Sequence, residues 1–166
     1  MDQRKISRRN FTGLLAGSVS LAATGRLFAA SGAAAVPIDV YKDPSCGCCS
    51  IWIEHMDANG YVSAIHHPAD LNATKASLGI PPSLQSCHTA VTAQGYWFEG
   101  HVPARYATRF LASPPANGIG LAVPGMPLGS PGMEVGDRFT PYDVMLLNKD
   151  GSTSVYVSIG SAAEQF

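Results

Sequence analysis

Three of the four cysteines of the chain fall within Cys46-Gly47-Cys48-Cys49, where a strand pattern changes to a helix pattern. The preceding run PIDVY, residues 37–41, is rich in β-branched residues and is bounded by Asp43-Pro44, which predicts a first strand. After the motif, Ile51, Trp52, Ile53 and Met56 have helical spacing, and Gly60 suits the position just past a helix C-terminus. The motif is therefore predicted to form the turn that opens a helix.

The rest of the chain continues this alternation of strand and helix patterns. We expect a strand, a helix capped by Asp70, a hairpin and a third helix, at residues 61–66, 70–78, 87–92 with 96–99, and 102–112. The order β-α-β-α-β-β-α is that of a thioredoxin-like domain. The predicted fold class is α/β, with a mixed sheet flanked by helices.

Two further segments follow this predicted core. Residues 114–137 are rich in glycine and proline, which predicts a long irregular loop of the kind that is often functional. Residues 143–147 and 154–159 flank a turn at 148–151 and predict a C-terminal β-hairpin appended to the core.

The first 35 residues have the features of an export signal. Ser7-Arg8-Arg9-Asn10-Phe11 is a twin-arginine pattern, a weakly apolar stretch follows, and Ala33-Ala34-Ala35 supplies small residues for cleavage. Glycines and serines interrupt the apolar stretch, so it is shorter than the roughly 20 residues that a membrane span needs. We expect residues 1–35 to be a twin-arginine signal and residues 36–166 to be a periplasmic metal-binding domain.

The charge balance of residues 36–166 argues against two classes of partner. Removal of residues 1–35 leaves six basic and eleven acidic side chains, without a cluster of lysine or arginine. Such a domain lacks the basic surface that binds nucleic acid or an anionic membrane. We expect neither as a partner. The domain is also long enough to bury a core without cross-links, so its cysteines need another explanation.

The cysteine motif allows disulfide bonding or metal binding. Unpaired N–H groups and the dipole at a helix start stabilise thiolate, so we expect low thiol pKa values in the motif. Four cysteines are an even count that would suit structural disulfides in an exported domain. A bond within residues 46–49 would constrain almost nothing, however, because stabilisation grows with the loop that is closed; only a bond to Cys87 would matter.

Four converging thiolates would suit Cu(I) or Zn(II). Structural zinc usually uses CxxC pairs, whereas Cys48 and Cys49 are adjacent, which makes zinc the weaker candidate. Thiolates can bridge Cu(I) ions, so the hypothesis is a multinuclear copper site. Cys87, at the entry to the third predicted strand, would complete it from the opposite side, and His88 would be a ligand or a partner of one.

The long loop repeats the tripeptide Pro-Gly-Met, with Met126 and Met133 as candidate copper ligands. Thioether sulfur selects Cu(I), although methionine more often fills gaps in packing. The spacing of the remaining histidines matches no zinc-binding pattern: His55, His66, His67 and His101. The adjacent pair His66-His67 could bind metal at the surface, but such a pair is more often an exposed polar segment.

Four separated segments resemble the CopG family of periplasmic proteins from bacterial copper-resistance clusters: VYKDPSCGCCSIWIEHM, SCHTAV, EGHVPA and GLAVPGMPLGSPGME. The resemblance runs from about Val40 to Gly160. It implies a thioredoxin-like fold and a thiolate-bridged copper cluster with Cys46, Cys48, Cys49 and Cys87 as ligands. It also implies a role in copper tolerance or trafficking, with other periplasmic copper-handling proteins as partners, and a redox role between Cu(I) and Cu(II) has been proposed for the family.

Two other functions stay open. In a thiol-disulfide oxidoreductase, Cys46 would attack and Cys48 or Cys49 would resolve. Against this, the motif differs from the usual CxxC pair, and QSCHTA, residues 85–90, lacks the proline that such enzymes normally carry beside the site. A structural zinc domain that docks a partner fits less well, because the thiols lie at a turn typical of active sites.

Overall fold

The computed structural model describes residues 35–166 of the chain. The expected export signal, residues 1–35, lies outside this part apart from Ala35 and stays a prediction. Between residues 35 and 166, no helix is long and apolar enough to cross a membrane.

The described residues form seven strands and three α-helices. The strands are β1 (Val36–Lys42), β2 (Tyr61–His66), β3 (His88–Thr92), β4 (Trp97–Glu99), β5 (Gly118–Ala122), β6 (Tyr142–Asn148) and β7 (Thr153–Ile159). The α-helices are α1 (Gly47–Ala58), α2 (Leu71–Ser77) and α3 (Ala104–Ala112), and short 3-10 turns occupy Pro82–Leu84 and Ala162–Gln165. Each element predicted from the sequence is present, with ends shifted by no more than a few residues.

The strands form a single sheet in the order β2-β1-β3-β4-β5-β6-β7. The pairs β1 with β2 and β4 with β5 are parallel, and the other neighbours are antiparallel. The predicted mixed α/β class is therefore confirmed.

The strand β5 corrects the prediction of an irregular loop over residues 114–137. It pairs with both β4 and β6, so the β6–β7 hairpin continues the sheet and is not appended to it. Its sequence, GIGLA, does not predict a strand, because two glycines stand where β-branched residues are expected. A Cβ on Gly120 would lie 2.4 Å from Trp97 Cδ2, so glycine is needed for the indole to lie against this strand.

The two faces of the sheet carry different layers. The helices α1 and α3 pack on one face, in the larger core cluster, which includes Trp52, Phe98 and Phe110. The neighbouring Trp97 belongs to a second cluster with Ile80 and Leu84, and successive strand residues point to opposite faces. The segment after α2 therefore covers the other face.

Local signals fix the ends of the helices near the cysteine motif. Gly60 follows α1 with φ +92°, a conformation that favours glycine. Asp70 accepts a hydrogen bond from Ala73 N at 2.9 Å and caps α2 as expected. On α1, Trp52 Nε1 donates to Val102 O at 2.9 Å, which ties the helix to the segment that precedes α3.

Candidate metal centre

A tight turn joins β1 to α1 and presents three of the cysteines. Asp43 Oδ1 accepts hydrogen bonds from the backbone N–H of Ser45 at 2.7 Å and from its hydroxyl at 2.5 Å. Cys46 N donates to Asp43 O at 3.1 Å, and Cys46 is the N-cap residue of α1. Cys48 and Cys49 then lie in the first turn of the helix. The strand-turn-helix arrangement predicted for the motif is confirmed.

The sulfur atoms of all four cysteines lie within 4.8 Å of one another. Cys48 Sγ is 3.6 Å from Cys46 Sγ and 4.0 Å from Cys87 Sγ. Cys49 is fully buried, and the other three are partly exposed. The structure therefore brings together the four cysteines that the sequence singled out.

Two of these cysteines form a disulfide bond. Cys46 is bonded to Cys49, whereas Cys48 and Cys87 are free thiols. The expectation of four free thiolates is therefore wrong for this state of the chain. Cys46 and Cys49 are three positions apart, so the motif does contain the CxxC spacing, contrary to the prediction from its sequence. The bond closes so short a loop that it adds little stability. Its importance therefore lies in the redox chemistry of the two cysteines.

Cys87 lies just before β3 and faces the turn from the other side. Burial raises the pKa of the Cys87 thiol to about 12, and the neighbouring Cys48 adds to the shift. The low thiol pKa expected for the helix-opening turn thus does not extend to Cys87, because burial outweighs its closeness to the start of the helix. A bound metal would reverse this preference, since a coordinating thiol is deprotonated outright.

Two buried histidines adjoin the Cys87 sulfur. His88 Nδ1 lies 3.3 Å and His101 Nε2 lies 3.2 Å from Cys87 Sγ, and both rings are fully buried. Burial lowers the pKa of both histidines, which favours the neutral form of each ring. His101 Nδ1 donates to Pro131 O at 2.8 Å, which leaves Nε2 as the acceptor that faces the thiol. These are the features of a metal ligand held by a second hydrogen bond.

His88 Nε2 is buried without a hydrogen-bond partner among residues 35–166, and the ring lies 4.3 Å from that of Trp52. A buried polar atom without a partner costs free energy, which fits a group that serves a function.

Solved structures supply the comparison that decides the family. Two chains, titled Copper resistance protein copG in Form 1 and Form 2, each match at 46% sequence identity with a TM-score of 0.71. Each match covers 75% of this chain and 98% of the solved chain. The chain belongs to the CopG family.

Residues 84–133 also match a family model described as Protein of unknown function, DUF411. The matched range holds Cys87, both buried histidines and both Pro-Gly-Met tripeptides. A search of curated proteins found no match.

His101 is the site residue that the sequence analysis missed, because it was judged only by zinc-type spacing. The predicted hairpin could have identified His101. In the antiparallel pairing of β3 with β4, Thr89 is opposite Glu99. Continuing this register brings Cys87 opposite His101, so a hairpin centred on residues 93–95 already places these two side chains together.

The Pro-Gly-Met loop lies against the centre at Ser86 and Cys48, in addition to the hydrogen bond between Pro131 and His101. Ser86 Oγ donates to Gly125 O, and a Cβ on Gly132 would lie 2.6 Å from Cys48 O. Met126 is 54% exposed, and Met133 is partly buried. Both tripeptides therefore border the centre, and metal binding by either thioether stays a prediction.

The other histidines have partners elsewhere. His55 Nε2 accepts a hydrogen bond from Ala104 N at 3.0 Å, at the start of α3. His66 Nε2 lies 2.7 Å from Asp39 Oδ1 on the exposed side of β1 and β2. In the described part of the chain, neither belongs to a group that could hold a metal ion.

Proposed function

We propose that the chain binds copper through Cys46, Cys48, Cys49 and Cys87 and acts in copper tolerance or trafficking. The observation that carries the proposal is the convergence of four cysteine sulfurs within 4.8 Å, in a member of a copper resistance family. Soft thiolate ligands favour Cu(I). The Cys46–Cys49 disulfide would have to be reduced before all four cysteines could bind the metal.

The bound copper would be multinuclear, as a thiolate-bridged cluster. Cys48 Sγ lies 3.6 Å from Cys46 Sγ and 4.0 Å from Cys87 Sγ, so it is close enough to both to serve as a bridging sulfur. His88 and His101 offer ring nitrogens on the Cys87 side, and imidazole also binds copper. Cycling of the copper between Cu(I) and Cu(II) would be compatible with this mixed sulfur and nitrogen ligand set.

Zinc is the competing metal, because Cys46 and Cys49 have the CxxC spacing that structural zinc sites usually use. Four thiolates can form a tetrahedral zinc site. Copper remains our proposal because the two similar solved structures are titled copper resistance proteins.

Thiol-disulfide exchange is a second candidate function, and one observation favours it. The free Cys48 sulfur lies 3.6 Å from Cys46 Sγ, one half of a disulfide with CxxC spacing at the start of a helix. Exchange proceeds by attack of a thiolate on a disulfide sulfur. A reduced chain could therefore pass electrons to a partner disulfide without any metal.

A metal-binding and reduction experiment separates these functions. The purified protein is reduced without oxygen, exposed to Cu(I) and to Zn(II), and analysed for retained metal, with an insulin-reduction assay in parallel. We expect more than one copper per chain, a large loss in Cys48→Ser, and no loss in Ser50→Ala, an exposed residue of the same helix turn. Less than one copper per chain together with rapid insulin reduction would contradict the proposal.

The proposed setting is the periplasm, and the proposed scaffold is a thioredoxin-like domain, residues 36–166. The β-α-β-α-β-β-α order through α3 supports the scaffold. Export in a folded state through the twin-arginine route would protect the thiols before they reach an oxidising compartment. Fractionation of cells that express Arg8→Lys/Arg9→Lys tests the route, and unchanged export would contradict it.

A further inference from the structure

A buried ion pair lies directly behind Cys87. Lys75 of α2 and Glu99 of β4 are joined through Lys75 Nζ and Glu99 Oε1, and their side chains are 1% and 0% exposed. Removing two charges from water is costly, and replacing such pairs by apolar residues often leaves a protein equally or more stable. Stability alone therefore gives little reason for an ion pair at this place.

The other hydrogen bonds of the pair converge on Ser86, the residue before Cys87. Ser86 N donates to Glu99 Oε1 at 2.6 Å, and Lys75 Nζ donates to Ser86 O at 2.5 Å. Ser86 precedes the first paired residue of β3, so no neighbouring strand satisfies its N–H and C=O. The two charged side chains take the place of a backbone partner and hold this residue from both sides.

The same carboxylate connects the two chain segments that carry Cys87 and His101. Glu99 Oε2 accepts a hydrogen bond from Thr89 Oγ1, across the β3–β4 pair. A Cβ on the next residue, Gly100, would lie 2.6 Å from Ser86 Cβ, so Ser86 packs directly against the backbone that leads to His101. The ion pair is thus the centre of a frame that supports one side of the metal centre.

We propose that Lys75 and Glu99 are positioning residues, which hold the Ser86–Cys87 backbone so that Cys87 Sγ faces Cys48 Sγ. The hydrogen bonds of the pair reach Ser86 and Thr89 and do not involve the Cys87 sulfur, so the effect passes through the backbone. That the position of Cys87 Sγ serves metal binding rests on the proposed copper function. The position itself can be measured without copper.

Two double variants test the acceptor at position 99, which receives hydrogen bonds from Ser86 N and Thr89 Oγ1, and both also remove the bond from Lys75 Nζ to Ser86 O. Lys75→Met/Glu99→Gln and Lys75→Met/Glu99→Leu both remove the two charges and leave no unpaired buried ion. The glutamine keeps an oxygen that can accept from Ser86 N, and the leucine does not. Leu147→Ala, a buried residue of β6 in the second core cluster, controls for general loss of stability.

The readout is the rate at which Cys48 and Cys87 form a disulfide in a Cys46→Ser/Cys49→Ser background. Diamide removes two electrons and two protons from the thiols, which lie 4.0 Å apart, and is reduced to the hydrazine. Trapping with an alkylating agent and mass spectrometry gives the rate. A misplacement of about 1 Å can slow a proximity-dependent reaction about 100-fold, so we expect a loss of about tenfold or more in the leucine variant. The Leu147→Ala variant should react at nearly the parent rate. The glutamine variant, which lacks the bond from Lys75 Nζ to Ser86 O but keeps an acceptor for Ser86 N, should react at a rate between those of the parent and the leucine variant.

Equal rates in the leucine and glutamine variants would overturn the proposal. A parallel measurement of Cu(I) retention, made with all four cysteines present, separates this inference from the proposed function. If the parent fails to retain copper while the difference in rate persists, the copper function is wrong and the positioning role stands. If the parent retains copper and both double variants react and retain it like the parent, the positioning role is wrong.

Discussion

The contact between the Pro-Gly-Met loop and α1 depends on a glycine, so Gly132→Ala should loosen it. Gly132 has φ +87°, and an added Cβ would lie 2.6 Å from Cys48 O and 2.8 Å from Trp52 N. The left-handed conformation costs an alanine about 1–2 kcal/mol. Overpacking against backbone atoms, which cannot rotate away, adds about 1–3 kcal/mol. We therefore expect a total loss of about 2–5 kcal/mol in the free energy of unfolding.

Gly136→Ala is the matched control, because Gly136 also has a positive φ, of +56°, but an added Cβ would meet nothing within 4 Å. This variant should lose only the conformational part, about 1–2 kcal/mol. Urea unfolding followed by tryptophan fluorescence gives both values. Equal losses in the two variants would refute the close contact between loop and helix. Gly132→Ala should also release Cu(I) faster, because the loop carries the carbonyl that orients His101.

Three further predictions follow from the site and its surroundings. Met126→Leu/Met133→Leu should lose Cu(I) to a chelator more readily, because thioether sulfur binds Cu(I), and unchanged retention would assign both residues to packing. Burial lowers the pKa of His55 in the folded chain below its ordinary value, so below about pH 6.5 the unfolded chain binds more protons than the folded chain. The contribution of His55 to the free energy of unfolding should be complete above about pH 6.5 and decrease on acidification. The decrease in the free energy of unfolding should be less steep in His55→Gln. The same pH dependence in parent and variant would contradict this. Gln165→Ala should cost about 1–3 kcal/mol in urea unfolding, because Gln165 Nε2 donates to Gly129 O at 2.8 Å inside the protein, and a loss no larger than that of the exposed Glu164→Ala would count against it.

The cysteine turn was predictable because its signals are local. A β-branched run before Asp43-Pro44 and helical spacing up to Gly60 are each strong within a few residues, and together they place the motif at a helix start. The position of Cys87 opposite this turn followed from the expected order of elements, and the 4.0 Å distance between Cys48 and Cys87 sulfurs agrees with it.

Features that depend on distant packing were not predictable in the same way. The strand β5 has a glycine at position 120 because Trp97 lies against it, and the sequence near Gly120 does not predict that contact. The Lys75–Glu99 pair joins residues 24 positions apart, and each alone has the pattern of an ordinary exposed charge. His101 was within reach, since hairpin register alone places it opposite Cys87.

Copper K-edge X-ray absorption of the Cu(I)-loaded protein tests the central claim most directly, because it reports which atoms bind the metal. We predict a first shell dominated by sulfur with a copper neighbour beyond it, and a smaller sulfur contribution in Cys87→Ser. A first shell of nitrogen and oxygen alone, unchanged by Cys87→Ser, would contradict the proposed thiolate centre.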